Sequence, residues 1–179
     1  DSSTPHAVGL AAAAKIPYAE AIIRNRYVGR TFIEPDHESR TQGVQSKYNA
    51  MRAVVEGKRL LVVDDSIVRS TTITRVIKML RGAGAKEIHV RVASPPIKST
   101  CHFGVDMATL QELIAANKSV DEVREFIDAD SLAYLSVEGM LRAVRAPENA
   151  YCSGCFTGNY PIPVQLEMDK LGLEKASRA

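Results

Sequence analysis

The sequence is poor in cysteine: three in 179 residues, a number that cannot pair off. An odd, small count argues against a secreted disulfide framework and for a cytoplasmic protein. It also lacks an excess of either charge. The formal net charge of +2 gives no general affinity for nucleic acid or a membrane surface. No apolar run approaches the roughly 20 residues of a membrane span. The opening "DSSTPHAVGL" has neither a basic leader region nor a cleavage pattern, and no initiator Met, so the chain is expected to be a cut or processed piece. Internal repeats and low-complexity tracts are missing too. What is present is a hydrophobic fraction of 45%, enough to build a core in one domain of ordinary size.

Thr4-Pro5 predicts a helix start, with proline at the first helical position, followed by an alanine-rich run to about Lys15. "YAEAII" (18–23) reads as a short strand. From Arg24 to Arg52 the chain is polar and poorly periodic, which predicts a long loop with a helical turn near its end, the kind of segment that is usually functional or disordered. "KRLLVVDD" (58–65) is continuously apolar up to its acids, as in a strand buried on both faces. Ile73, Val76, Ile77 and Leu80 lie at i, i+3, i+4 and i+7, one face of a helix that Gly82 and Gly84 end. "EIHVRVAS" (87–94) is the next strand. Strand, helix and strand in such a short span make a βαβ unit, hence a parallel sheet with a right-handed crossover. Further helices are expected near 106–116, 120–128 and 136–145, the second started by a capping box of Ser119 and Glu122, with a short strand at 131–135. Beyond Pro147 the chain reads as irregular.

The chemistry gathers in "LLVVDDSIVRSTT" (60–72). Burying a charge is costly, yet two adjacent carboxylates, Asp64 and Asp65, close a hydrophobic strand. Ligands of open parallel sheets bind beyond the carboxyl ends of strands. The residues that follow, Ser66 to Thr72, pass from strand to helix, where backbone N–H groups and the helix dipole favour an anion. The hydroxyls of Ser66, Ser70, Thr71 and Thr72 add donors. This is a phosphate cradle without the G-x-x-x-x-G-K of a nucleotide-binding P-loop. A sugar phosphate fits both parts, phosphate in the loop and vicinal hydroxyls on the acids, although acids that merely introduce a helix satisfy the same spacing. Arg24, Arg26, Arg30, Arg40, Lys47 and Arg52 outnumber Glu34, Asp36 and Glu38 in the 24–52 segment, which on composition alone suits a solvated basic surface. Cys152 and Cys155 form a C-x-x-C that reads as zinc site, redox pair or cluster ligand, and Cys101 alone reads as a core residue.

Four stretches in order carry a resemblance: "RNRYVGRTFIEP" (24–35), "GKRLLVVDDSIVRSTT" (57–72), "SPPI…CHFGVD" (94–106) and "CSGCFTGNYP" (152–161). The central one resembles the phosphoribosyl pyrophosphate (PRPP) signature of type I phosphoribosyltransferases. Together they resemble the glutamine PRPP amidotransferase family, from Asp1 to about Pro161. The resemblance implies an α/β fold, a type I phosphoribosyltransferase-like parallel sheet flanked by helices with a helical and irregular C-terminal tail. Residues 1–146 would be a partial phosphoribosyltransferase domain and 147–179 a cysteine-containing tail packed on it, with the family's N-terminal glutaminase domain absent.

The implied activity is transfer of ammonia, released from glutamine, onto PRPP in the first step of purine synthesis. In it Asp64 and Asp65 take the ribose diol and Mg²⁺, and Ser66, Ile67, Val68, Arg69, Ser70, Thr71 and Thr72 take the 5-phosphate. Ser2 stands at a further magnesium position, and Arg24 and Arg26 neutralise the departing pyrophosphate. Cys101, Cys152 and Cys155 match three ligands of the [4Fe–4S] cluster in one branch of the family, the fourth lying before residue 1. Purine nucleotides as feedback inhibitors and a homotetramer are implied as well; nucleic acid and membrane partners are not. The chain departs from the family at Arg24, where lysine is usual, and at Ser70, where glycine is usual. The rival readings are another type I phosphoribosyltransferase, which the "FTGNYP" segment and the cysteines oppose, and a non-enzymatic PRPP- or nucleotide-binding regulatory module, which Ser70 favours.

Overall fold

The computed structural model describes residues 2–24, 48–105, 109–145, 147 and 150–163. Helix α1 (Thr4–Ala14) has proline in its first turn and stops at Lys15, which adopts a left-handed φ of 54°. Strands β1 (Ile22–Arg24) and β2 (Tyr48–Ala50) pair antiparallel, Ile23 opposite Asn49. The strand expected over 18–23 is thus shorter and displaced: it exists only where β2 supplies a hydrogen-bonding partner. The helical turn foreseen near the end of the 24–52 segment is α2 (Arg52–Val55).

Next come β3 (Arg59–Asp64), α3 (Thr71–Gly82) and β4 (Glu87–Val92). A 3-10 turn at Leu110–Glu112 leads to α4 (Ile114–Asn117), α5 (Val120–Phe126) and β5 (Ser131–Tyr134). Helix α6 (Val137–Ala143) and the single turn α7 (Gly154–Thr157) follow. Strands β3, β4 and β5 form a parallel sheet in that order, with Asp64 level with Val92 and Val92 level with Tyr134.

The periodicities act as expected. Ile73, Ile77 and Leu80 on α3 are buried against Ile88, Val90 and Val92 of β4, and Val123 and Ile127 extend the same core from α5. Alternation along β4 is clean: Ile88, Val90 and Val92 are buried, while Glu87, His89 and Arg91 are half-buried. Two expectations need correction. β3 is not fully buried: Leu60–Asp64, which point to alternate faces, are all half-buried, and among the described strands β3 is an edge. The helix expected over 106–116 is broken in its described part, because Leu113 takes an extended conformation (φ −74°, ψ 106°) that sends its side chain fully into the interior. The capping box at Ser119 is present in full: Ser119 Oγ accepts from Glu122 N–H, and the Glu122 carboxylate accepts from Ser119 N–H at 2.7 Å. No helix among the described residues is long and apolar enough to cross a membrane.

Candidate active site at the carboxyl end of the parallel sheet

Asp64 is the last residue of β3 and Asp65 the first beyond it, both half-buried. Asp64 Oδ1 accepts from the Asp65 N–H at 3.0 Å and from Ser3 Oγ at 3.3 Å. Asp65 Oδ1 accepts from the Ser66 N–H at 2.7 Å and from its hydroxyl at 3.4 Å. Burial pushes the Asp64 carboxyl above its ordinary range, and the negative charge of Asp65 adds to the rise; the Asp65 N–H and the Ser3 hydroxyl offset part of it. The pair is therefore an electronegative spot with its own local donors and an unmet demand for positive charge or hydroxyl donors.

The loop that follows is pinned from beneath. Ile67 is buried in the main core, and Val68 packs against Ile97 and Leu113. The side chains of Ile67 and Val68 are thus used in packing, and the Val68 carbonyl is taken by the Ile114 N–H, which leaves the backbone N–H groups for a ligand. Arg69 points outward, its Nε 3.1 Å from Glu112 Oε1. Ser70 is buried and precedes α3 in a left-handed conformation, φ 61°. Thr71 and Thr72 open the helix, exposed. Six residues, 65–70, separate the carboxyl end of β3 from helix α3, so the helix's unpaired first-turn N–H groups and the positive end of its dipole follow directly on the loop.

At the amino end the structure brings Ser3, rather than Ser2, to Asp64; Ser2 is exposed. Arg24 ends β1 and is exposed. Arg26, Arg30, Arg40 and Lys47 lie outside the described residues. Arg52 forms an ion pair with Glu56 at 2.8 Å, so its charge is engaged within α2.

The tail folds back and lays Cys155 on the segment that leads to Cys101. Lys98 and Ser99 donate their N–H groups to the Cys155 carbonyl at 2.9 and 3.0 Å. Tyr160 Oη donates to the Thr100 carbonyl at 2.6 Å. Cys155 and Phe156 pack on Ile97 and Leu113. Burial raises the Cys155 thiol above its usual range, and Cys101 and Cys152 act in the same direction. All three are free thiols. Among the described residues, no three His, Cys, Asp or Glu side chains are grouped closely enough to form a metal site. Sequence reasoning chose Ser2 of the opening "DSS" where the structure uses Ser3, and missed the 109–114 segment, where Glu112 holds Arg69 and Ile114 N–H bonds the Val68 carbonyl at 3.0 Å.

A family model described as phosphoribosyl transferase domain matches residues 3–98, more than half of the chain. The chain belongs to this family. An amidophosphoribosyltransferase of Synechococcus elongatus is 49% identical over 176 residues, covering 97% of this chain and 36% of the relative. One of Bacillus subtilis is 52% identical over 168 residues, covering 92% and 35%. The solved structure of glutamine PRPP amidotransferase from B. subtilis complexed with ADP and GMP has a TM-score of 0.82 at 51% identity, covering 93% of this chain and 38% of that one. The fold is that of a type I phosphoribosyltransferase, and the chain spans little more than a third of the length of these relatives.

Proposed function

We propose that this chain is the phosphoribosyltransferase part of an amidophosphoribosyltransferase. The reaction joins ammonia nitrogen to C1 of PRPP as the C1–oxygen bond to pyrophosphate breaks, giving 5-phosphoribosylamine. The observation that carries the reading is the half-buried Asp64–Asp65 pair at the end of β3, followed directly by a pinned loop into the N-terminus of α3. The loop N–H groups, with the hydroxyls of Ser66, Thr71 and Thr72, hold the 5-phosphate. Asp64 and Asp65 accept from the ribose hydroxyls, fixing C1 for in-line displacement. Arg24 and Arg26 neutralise pyrophosphate as it leaves. Positioning and charge stabilisation supply the acceleration, without a covalent intermediate on the protein.

Two resident groups accompany this reading. The carboxylate pair suits a hard cation bound through a few oxygens and waters, so Asp64 and Asp65 are the proposed surroundings of Mg²⁺, with the hydroxyl of Ser3, which takes the place expected for Ser2, beside them. Mg²⁺, when bound, neutralises the pyrophosphate oxygens. Thiols suit a soft-metal centre, so Cys101, Cys152 and Cys155 are the proposed ligands of a [4Fe–4S] cluster, with a fourth outside this chain; to hold it, the three have to close up from the positions they take here. Its role is to staple the tail, since ammonia transfer moves no electrons. Residues 1–146 act as the transferase unit and 147–179 as its tail. Ammonia from a glutaminase domain, purine nucleotides as regulators, a homotetrameric assembly and a cytoplasmic location complete the proposal. The ADP and GMP of the similar B. subtilis complex support the nucleotides.

The test is calorimetry of PRPP with Mg²⁺ on the full-length protein. Replacing both Asp64 and Asp65 by Asn is expected to abolish Mg²⁺-dependent binding and ammonia-dependent pyrophosphate release, with an unchanged circular dichroism spectrum. Unchanged PRPP affinity would overturn the assignment.

A further inference from the structure

Three consecutive carbonyl oxygens of the loop are engaged. Val68 O accepts from Ile114 N–H at 3.0 Å. Arg69 O accepts from the Ser70 hydroxyl at 2.5 Å. Ser70 O accepts from Thr74 N–H at 3.0 Å and from Thr74 Oγ1 at 2.9 Å. The N–H groups of the first turn of α3, by contrast, have no partner within the helix by its construction. The loop thus commits its acceptors internally and leaves donors for an anion. Two of these three engagements use backbone groups or a helical threonine. The middle one depends on a single side chain.

That side chain is unusual in two ways. Ser70 has φ 61° and ψ −7°, a conformation disfavoured for residues that carry a Cβ. It is also only 5% exposed. A hydroxyl has one proton to donate, and the proton of Ser70 is spent on the carbonyl of the preceding residue. To donate to a phosphate, Ser70 would have to release Arg69 O and leave an unpaired acceptor beside the incoming charge.

We infer that Ser70 is a positioning residue rather than a phosphate ligand: its hydroxyl, turned back onto the Arg69 carbonyl, locks the β3–α3 loop in its donor-presenting form. The inference rests on the reading of this loop as the 5-phosphate site and gives Ser70 a different part in it. Held strain at such a position is a mark of a functional segment.

Two substitutions separate the roles. Ser70→Ala removes the hydroxyl but keeps the Cβ in the left-handed conformation; Ser70→Gly removes both and frees that conformation. In the full-length protein, PRPP affinity with Mg²⁺ and the kinetics with ammonia are measured for each. A positioning role predicts a roughly two- to tenfold rise in Kd and KM for Ala, the size of one net hydrogen bond. It also predicts kcat unchanged and partial or full recovery in Gly. A direct ligand predicts equal losses in both variants, larger because the partner is charged, and that result overturns the inference. No change in Ala overturns it too. Circular dichroism and thermal melting check folding, and Gly, which suits this backbone, keeps the test decisive if Ala melts early. A parent protein that binds no PRPP would instead refute the phosphoribosyl reading beneath, and the inference with it.

Discussion

Gly154→Ala is the sharpest probe of how the tail is held. Gly154 is buried at the start of α7. A Cβ built there would lie 2.4 Å from Tyr160 Cδ1, 2.5 Å from Cε1 and 3.0 Å from Cγ, all inside van der Waals contact. The ring cannot yield cheaply. Its hydroxyl donates to Thr100 O at 2.6 Å, and the rings of His102 and Phe103 stand edgewise at 4.9 and 6.0 Å. Overpacking costs about 1–3 kcal/mol, and loss of the Tyr160–Thr100 hydrogen bond about 0.5–1.5 kcal/mol more. Alanine returns about 0.5–1 kcal/mol as the better helix former. The net of roughly 1–3.5 kcal/mol falls on local opening of the tail rather than on the sheet.

At about 1.4 kcal/mol per factor of ten, opening becomes several-fold to a few hundredfold more populated. The assay is thiol labelling of chelator-treated protein. Half-buried Cys155 should label faster by that factor, while exposed Cys152 serves as the internal control. In a Tyr160→Ala background the same glycine substitution should cost almost nothing, since its obstacle is gone. Unchanged Cys155 labelling in the single variant, or full additivity in the double, would refute the reasoning.

Two further outcomes follow from particular groups. Asp64 binds its proton more tightly in the folded chain than an ordinary Asp, so its own contribution to metal-free stability should fall as pH rises from about 3.8 through the raised folded value and then level off. Asp64→Asn should remove that contribution, seen as a difference from the parent in urea titrations across pH, and be the more stable protein above the window; a pH dependence identical to the parent's would contradict the raised Asp64. Ser136 caps α6 by accepting from Gly139 N–H at 3.0 Å. Ser136→Ala should cost about 0.5–2 kcal/mol, a few degrees in Tm, and an unchanged melt would contradict the cap.

The fold was legible wherever burial follows a short period. The spacing of Ile73, Ile77 and Leu80 is the spacing of their contacts with β4, so helix α3 could be read directly. The apolar run before Asp64 and the alternation in "EIHVRV" marked β3 and β4 to within two residues. What failed was non-local or depended on one backbone angle. Strands β1 and β2 pair across more than twenty intervening residues, so β2 has no local signature and β1 is displaced from the strand read at 18–23. Leu110, Leu113 and Ile114 keep a helical spacing, yet Leu113 gains more from an extended backbone that buries it fully than from continuing the helix. A continuous apolar run likewise does not distinguish a central strand from a half-buried edge such as β3.

The site divides along the same line. Asp64 and Asp65 stand out in the sequence because a carboxylate in an apolar setting is expensive and needs a reason. The residues that hold them do not stand out. Ser3 reaches Asp64 from 61 residues away, and its neighbour Ser2 has the same chemistry, so only the path of the chain chooses between them. Ile114 anchors the loop through its backbone N–H, a group that every residue except proline carries. Ser70 is the instructive exception. Its side chain does the anchoring, and serine at a left-handed position is the visible trace. The groups that meet a ligand are constrained by chemistry and can be read from residue type. The groups that orient them are constrained by geometry, and leave a mark in the sequence only where that geometry forces a choice of side chain.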